Sequence, residues 1–241
     1  MRLSAFLLAS VSVLAPFYAR AAEAEADDSK SEIVTRYLDA RRTQQEALRG
    51  VQMEASIDAK LPRLEKQGRM QVLRKISRLG KISFRMLGFQ GDATIKQEVI
   101  ARYLNLESDS TDTQDISVTP DNYKFHLKTS ISDGIRRTYV FQVTPKRKAV
   151  GLFKGELWLD AETGMPLRES GQLVKNPSIF LKKVTFVHDY QLKDGVSIPK
   201  HIESTVDTRI AGRAELHIEF TNFAKAEDDD VPGEITGGPG N

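Results

Sequence analysis

The chain has 241 residues, with 35 Lys and Arg against 33 Asp and Glu and 40% apolar residues, which is enough for one domain with a sizeable core. It contains no cysteine, so disulfides, thiol chemistry, cysteine metal sites and a lipid-anchored cysteine are excluded. The net charge of +2 averages unlike parts: from Glu32 to Phe223 there are 31 basic against 24 acidic residues, whereas both flanks are acidic.

In chain order, a basic start at Met1 and Arg2, an apolar run from Leu3 to Phe17 and the small-residue motif Ala19-Arg20-Ala21 predict a signal peptide over residues 1–22 and hence a periplasmic or secreted protein. The run is shorter than the roughly 20 residues that span a bilayer. No later stretch is apolar enough to do so, so the mature chain is expected not to span the membrane. Residues 23–31 form an acidic, alanine-rich lead expected to be disordered. Ser31 then reads as an N-cap. Ile33, Val34, Tyr37, Leu38, Arg41, Gln45 and Leu48 follow at helical spacing until Gly50, predicting one amphipathic helix that needs a sheet to cover.

From Val51 the period changes to two. Val51, Met53, Ala55 and Ile57 predict a first strand, Leu61-Pro62 breaks it, and further strands follow at Met70 and Val72 and at Ile82, Phe84 and Met86. Ile95, Val99, Ile100, Tyr103 and Leu104 predict a helical segment between Gly91 and Leu106. Residues from Glu107 to Asp121 read as an exposed loop. Tyr123, Phe125 and Leu127 open a strand that returns after Asp133-Gly134. From Val150 to Phe223, alternating runs are separated by Thr163-Gly164, Asn176-Pro177, Asp194-Gly195 and Ala211-Gly212, the pattern of an antiparallel meander with one wet face. Residues 224–241, acidic and then rich in Gly and Pro, read as a disordered tail, leaving 32–223 as the folded domain.

Chemistry-bearing residues are few. His188 is in phase with Val184, Phe186 and Tyr190 and so faces the apolar side of its strand, whereas His126, His201 and His217 fall on polar phases. No histidine pair has the short spacing of a zinc motif, so no metal site is expected. There is no Gly-x-Ser-x-Gly elbow and no phosphate-cradling glycine loop, so neither a catalytic residue nor a cofactor is expected. Asp160, Glu162 and Glu169 read as turn chemistry and a wet strand face. Lys60, Arg63, Lys66, Arg69, Arg74, Lys75, Arg78, Lys81 and Arg85 have only Glu65 among them. This basic span fits anionic headgroups, a partner's acidic rim or the guarded outside of a sheet. Export excludes nucleic acid as a partner.

Element order, together with Gln67-Gly68-Arg69-Met70-Gln71-Val72-Leu73-Arg74, Gly155-Glu156-Leu157-Trp158-Leu159-Asp160 with Thr163 and Pro166, and Gly195-Val196-Ser197-Ile198-Pro199, resembles the periplasmic lipoprotein-carrier (LolA-like) superfamily, which includes outer-membrane lipoprotein-sorting proteins. The resemblance covers Glu32 to Phe223. It implies an α+β fold: a curved antiparallel sheet forming an incomplete half-barrel, with the N-terminal helix and the mid-chain helical segment over its concave face. It also implies an arginine on the second strand that latches a lid. Arg74 is the matching position, with Lys75 where the family has proline, and the mid-chain lid helices are shorter.

On this resemblance the concave wall consists of Tyr37, Leu38, Met53, Met70, Val72, Arg74, Phe84, Met86, Phe141, Leu157, Leu159, Phe186, His188 and Phe220. Methionines suit varied acyl shapes, but the same periodicity also describes a filled core. The implied function is a non-enzymatic carrier or sensor binding an acylated lipoprotein, lipid or other apolar envelope ligand, with inner- or outer-membrane envelope proteins as partners. The alternatives are an envelope-stress or protein-interaction module of the same fold and, less favoured, a hydrolase of envelope polymers.

Overall fold

The computed structural model describes residues 15–109 and 114–226. Most of the expected signal peptide and the tail beyond Ala226 lie outside the described residues. Helix α1 (Ala15–Ala47) precedes β1 (Val51–Leu61), β2 (Lys66–Ile76) and β3 (Ile82–Gly91). A wide turn at Ile95–Ile100 leads into α2 (Ala101–Asp109), and seven strands follow: β4 (Tyr123–Ser132), β5 (Arg137–Pro145), β6 (Phe153–Asp160), β7 (Pro166–Leu173), β8 (Leu181–Lys193), β9 (Val196–Thr208) and β10 (Arg213–Lys225).

All ten strands form one antiparallel, curved and unclosed sheet in the order β3-β2-β1-β10-β9-β8-β7-β6-β5-β4. The α+β half-barrel expected from the sequence is therefore present. The first and last strands pair at the sheet's interior, from Val51 opposite Lys225 to Lys60 opposite Glu215. This pairing leaves β3 and β4, which are joined through α2, as opposite edges. The four turn signals of the second half all fall between strands, and Gly164, Gly195 and Gly212 take the positive φ their turns require.

The helix start differs from expectation. α1 continues back to Ala15 through the acidic lead, and Ser31 lies inside it, its carbonyl accepting from Thr35 Oγ1 at 2.9 Å. The reason is local: Ala21, Ala22, Glu23, Ala24, Glu25 and Ala26 are strong helix formers, and their run outweighs the Ser31 cap signal. The predicted stop at Gly50 holds. Its φ of +68° ends the helix, its N–H donates to the Ile76 carbonyl and its carbonyl accepts from the Ala226 N–H, both at 2.9 Å.

Two apolar clusters share the concave face. In one, Ile95 and Ile100 of the wide turn are fully buried against Met53, Ile57, Met70, Val72, Ile218 and Phe220 from β1, β2 and β10, with Tyr103 and Leu104 of α2 packed on its margin. In the other, Ile33, Val34 and Tyr37 of α1 pack against Tyr123, Phe141, Val143, Phe153, Leu157 and Leu159 from β4 to β6. Gly155 and Gly171 face each other across β6 and β7. A side chain on Gly155 would overlap the Ser170 carbonyl, and one on Gly171 would come within 2.6 Å of the Phe153 ring. This absence of side chains leaves room for Phe153 and Phe186 to meet edge to face at 4.9 Å.

Candidate functional site: a polar seam in the concave face

One cross-strand row crosses the whole inner face. Its members, strand by strand, are Phe89, Met70, Ile57, Ile218, Ile202, His188, Glu169, Leu157, Phe141 and Leu127. Eight are apolar. The other two, His188 on β8 and Glu169 on β7, are direct neighbours, and they fall where the α2-covered cluster gives way to the α1-covered one. Residues 184–190 of β8 are all half-buried, so the middle of the concave face is only partly roofed.

Further polar groups converge on this seam from both helices. Arg74 of β2 donates to Glu107 of α2 through Nε at 2.9 Å and Nη2 at 2.7 Å, and their side chains are only 10% and 19% exposed. Beside them, burial pushes the Tyr103 phenol well above its ordinary range, and the charge of Glu107 adds to this. From α1, the Arg41 guanidinium lies 5.9 Å from the centre of the Tyr37 ring. A cleft of about 340 Å³ runs past Arg41 between Tyr37, Gln44, Glu169 and Tyr190.

Burial raises the Glu169 carboxyl above the usual carboxylate range, with Arg41 pulling against it. Burial likewise lifts the Tyr190 phenol, with Glu169 assisting. His188 moves the other way: burial lowers it, and the charges of Glu107 and Asp189 oppose the change. Near neutral pH the seam therefore presents phenol hydroxyls, the Arg41 guanidinium, the Glu169 carboxyl and a neutral imidazole, beside an Arg74 guanidinium already paired with Glu107, a set suited to holding a polar group by hydrogen bonds. The fully buried Ser197 hydroxyl donates to the Pro166 carbonyl, and the Ser197 carbonyl accepts from Gln44 of α1 at 2.8 Å. That hydroxyl serves to tie elements together.

The structure brings most of the expected wall together. Tyr37, Met53, Val72, Phe141, Leu157 and Leu159 are at most 1% exposed, and Met70 and Phe220 are buried. Leu38 and Phe186 pack on the α1-covered cluster, and Phe84 sits opposite Arg74 on the margin of the other. Met86 is the exception. It stands opposite Val72 on the inner side, but on the edge strand, where it is 52% exposed. A bulge that leaves Leu87 without an opposite residue also resets the β3 phase, so that Phe89 completes the inner row.

Glu169, read from the sequence as part of a wet face, instead points inward opposite His188. The signal for it is weak because β7, with sequence PLRESGQL, has little apolar alternation. Its neighbour in that reading, Asp160, does serve its turn, accepting from the N–H and hydroxyl of Thr163 at 2.8 Å each. Among the basic span, Arg69 pairs with Asp58 at 2.8 Å and Lys66 with Asp92 at 3.4 Å. His201 and His217, distant in sequence, lie with ring centres 6.2 Å apart.

No family model and no curated protein sequence matches the chain. Among solved structures, it is similar to a LolA superfamily protein from Nitrosomonas europaea, at 15% identity over 82% of this chain and 93% of that one, with a TM-score of 0.40. It is also similar to a DUF1329 family protein from Desulfovibrio piger, at 15% identity over the same shares and a TM-score of 0.44. A third is a candidate outer membrane lipoprotein-sorting protein domain from Vibrio parahaemolyticus, at 10% identity, again over 82% and 93%, with a TM-score of 0.41. All three are likenesses to individual solved structures at low identity.

Proposed function

We propose that the protein is an exported, non-catalytic envelope module that takes an acylated or otherwise apolar ligand beneath α2, with the ligand's polar head in the seam. The observation that carries this reading is the way α2 is fastened. It and the turn before it lie over an apolar, methionine-bearing wall, and the buried Arg74–Glu107 pair ties β2 to α2. An apolar cover fastened through a polar latch can open without disturbing the strand ladder under it.

The Ile95–Ile100 turn, wound wider than an α-helix, adds support, since such turns recur at functional positions. Opening would free Met53, Met70, Val72 and Phe220 to bury acyl surface at roughly 25 cal/mol per Å². Among the described residues no helix is long and apolar enough to cross a membrane. The sequence of residues 1–22 supports export.

A second reading, a protein-interaction module with a permanently filled interior, draws on the near-complete burial of Met53, Val72 and Phe141. One experiment separates the two. The full chain is produced with its leader, purified from the envelope and analysed by mass spectrometry for bound lipid or lipopeptide, followed by titration with a fluorescent acyl probe. The carrier reading expects a co-purifying apolar ligand and saturable displacement of the probe. A ligand-free protein without saturable probe binding would leave the interaction module as the better account.

A further inference from the structure

The tripeptide His-Ile-Glu occurs twice, at residues 201–203 and 217–219. β9 and β10 are antiparallel neighbours, and their register sets His201 opposite Glu219, Ile202 opposite Ile218 and Glu203 opposite His217. Both isoleucines are buried on the concave side, so strand alternation turns both histidines and both glutamates to the convex side. The two triplets, run in opposite directions, thus make a four-residue patch in which each imidazole meets a carboxylate across the strands.

The spacing is that of a ligand set. His201 Nε2 lies 3.0 Å from Glu203 Oε1, and His217 Nδ1 lies 3.8 Å from the same oxygen. One donor atom from each of these three residues falls within 4.8 Å of the others. A tetrahedral zinc ion with bonds of about 2.0–2.1 Å holds its donors about 3.3 Å apart, between the two measured separations. The remaining ring nitrogen, His201 Nδ1, lies 2.6 Å from Glu219 Oε1. A carboxylate behind a ligating imidazole fixes its tautomer and orientation in metal sites. Asp189 on β8 stands opposite His201 and Asp58 on β1 opposite His217, each paired with an arginine, Arg168 at 3.3 Å and Arg69 at 2.8 Å.

We propose that His201, Glu203 and His217 form a site for a divalent transition metal of the zinc class, with Glu219 orienting His201. Three protein ligands leave one position for water or for a donor atom from a partner. The site spans β9 and β10 on the face opposite the seam, so it stands or falls independently of acyl binding.

The test uses the full chain, free of any histidine tag, titrated with Zn²⁺ by calorimetry and with Co²⁺ by visible absorption. The expected result is one saturating ion per chain in the micromolar range, with the intense absorption of four-coordinate cobalt. Glu219→Gln weakens binding about tenfold, as loss of an outer-shell partner does, and His217→Ala or Glu203→Gln weakens it by about 100-fold or more. His126→Gln leaves it unchanged. Glu203→Gln preserves shape on an exposed face, so a folding defect does not obscure the outcome. Absence of saturation at millimolar ion, or unchanged affinity in the His201→Ala/His217→Ala double variant, overturns the proposal.

Discussion

Replacing Arg74 by Met removes the latch while keeping an apolar stem against Met53. The guanidinium makes two contacts with Glu107 Oε1, at 2.7 and 2.9 Å, and the paired side chains are 10% and 19% exposed. Breaking one side of a buried pair costs about 3–5 kcal/mol. Residual exposure of Glu107 reduces this to about 2 kcal/mol. The cost falls on α2, because β1 and β2 keep their full ladder from Val51 opposite Ile76 to Leu61 opposite Lys66. About 2 kcal/mol corresponds to a roughly 30-fold increase in the opening equilibrium. Hydrogen exchange read by mass spectrometry should show peptides covering 95–109 exchanging faster by that factor in Arg74→Met, while those covering β1 and β5 are unchanged. Equal acceleration throughout, or none over 95–109, would refute the idea of a separately opening cover.

Gly155→Ala places a methyl group into the Ser170 carbonyl and should cost about 1–3 kcal/mol in urea unfolding; an unchanged midpoint would mean the β6–β7 approach is looser than described. Phe141→Ala, at a fully buried position, should cost about 3–5 kcal/mol, whereas Met86→Ser on the exposed edge should stay within about 0.5 kcal/mol. Similar losses at both positions would contradict the placement of Met86. Burial lowers the His188 pKa, so as pH falls the unfolded chain takes up this proton before the folded chain does. The stability linked to His188 is therefore intact above about pH 6.5 and lost as pH falls from there through its folded pKa. Between about pH 7.5 and 5 the unaltered protein should lose more stability than His188→Gln, and parallel curves would count against a buried, neutral His188.

Much of the second half was readable because each reversal carries its own chemistry: Thr163-Gly164, Asp194-Gly195 and Ala211-Gly212 all turn the chain with glycine at positive φ. The wall residues of β1 were readable from strict alternation, and those of β5 and β6 from a looser apolar spacing. What escaped depends on partners. The β3 bulge at Leu87 arises from pairing with β2, and the exposure of Met86 follows from β3 being an edge. Glu169 is assigned inward by its strand neighbours Leu157 and His188, not by its own segment. The convergence of His201 and His217 required the β9–β10 register; the repeated His-Ile-Glu was its one visible trace. The helical lead ahead of Ser31 turned on helix propensity competing with a cap signal.

Opening of α2 to admit an apolar ligand can be measured directly. The chain has no native cysteine, so spin labels can be placed by two substitutions alone, Leu106→Cys on exposed α2 and Lys60→Cys on β1. Their separation is measured by pulsed electron resonance with and without an acylated lipopeptide. If α2 opens, the distances shift to longer values as the lipopeptide saturates the protein. A distance distribution unchanged at saturation, or an absence of lipopeptide binding, would contradict that opening.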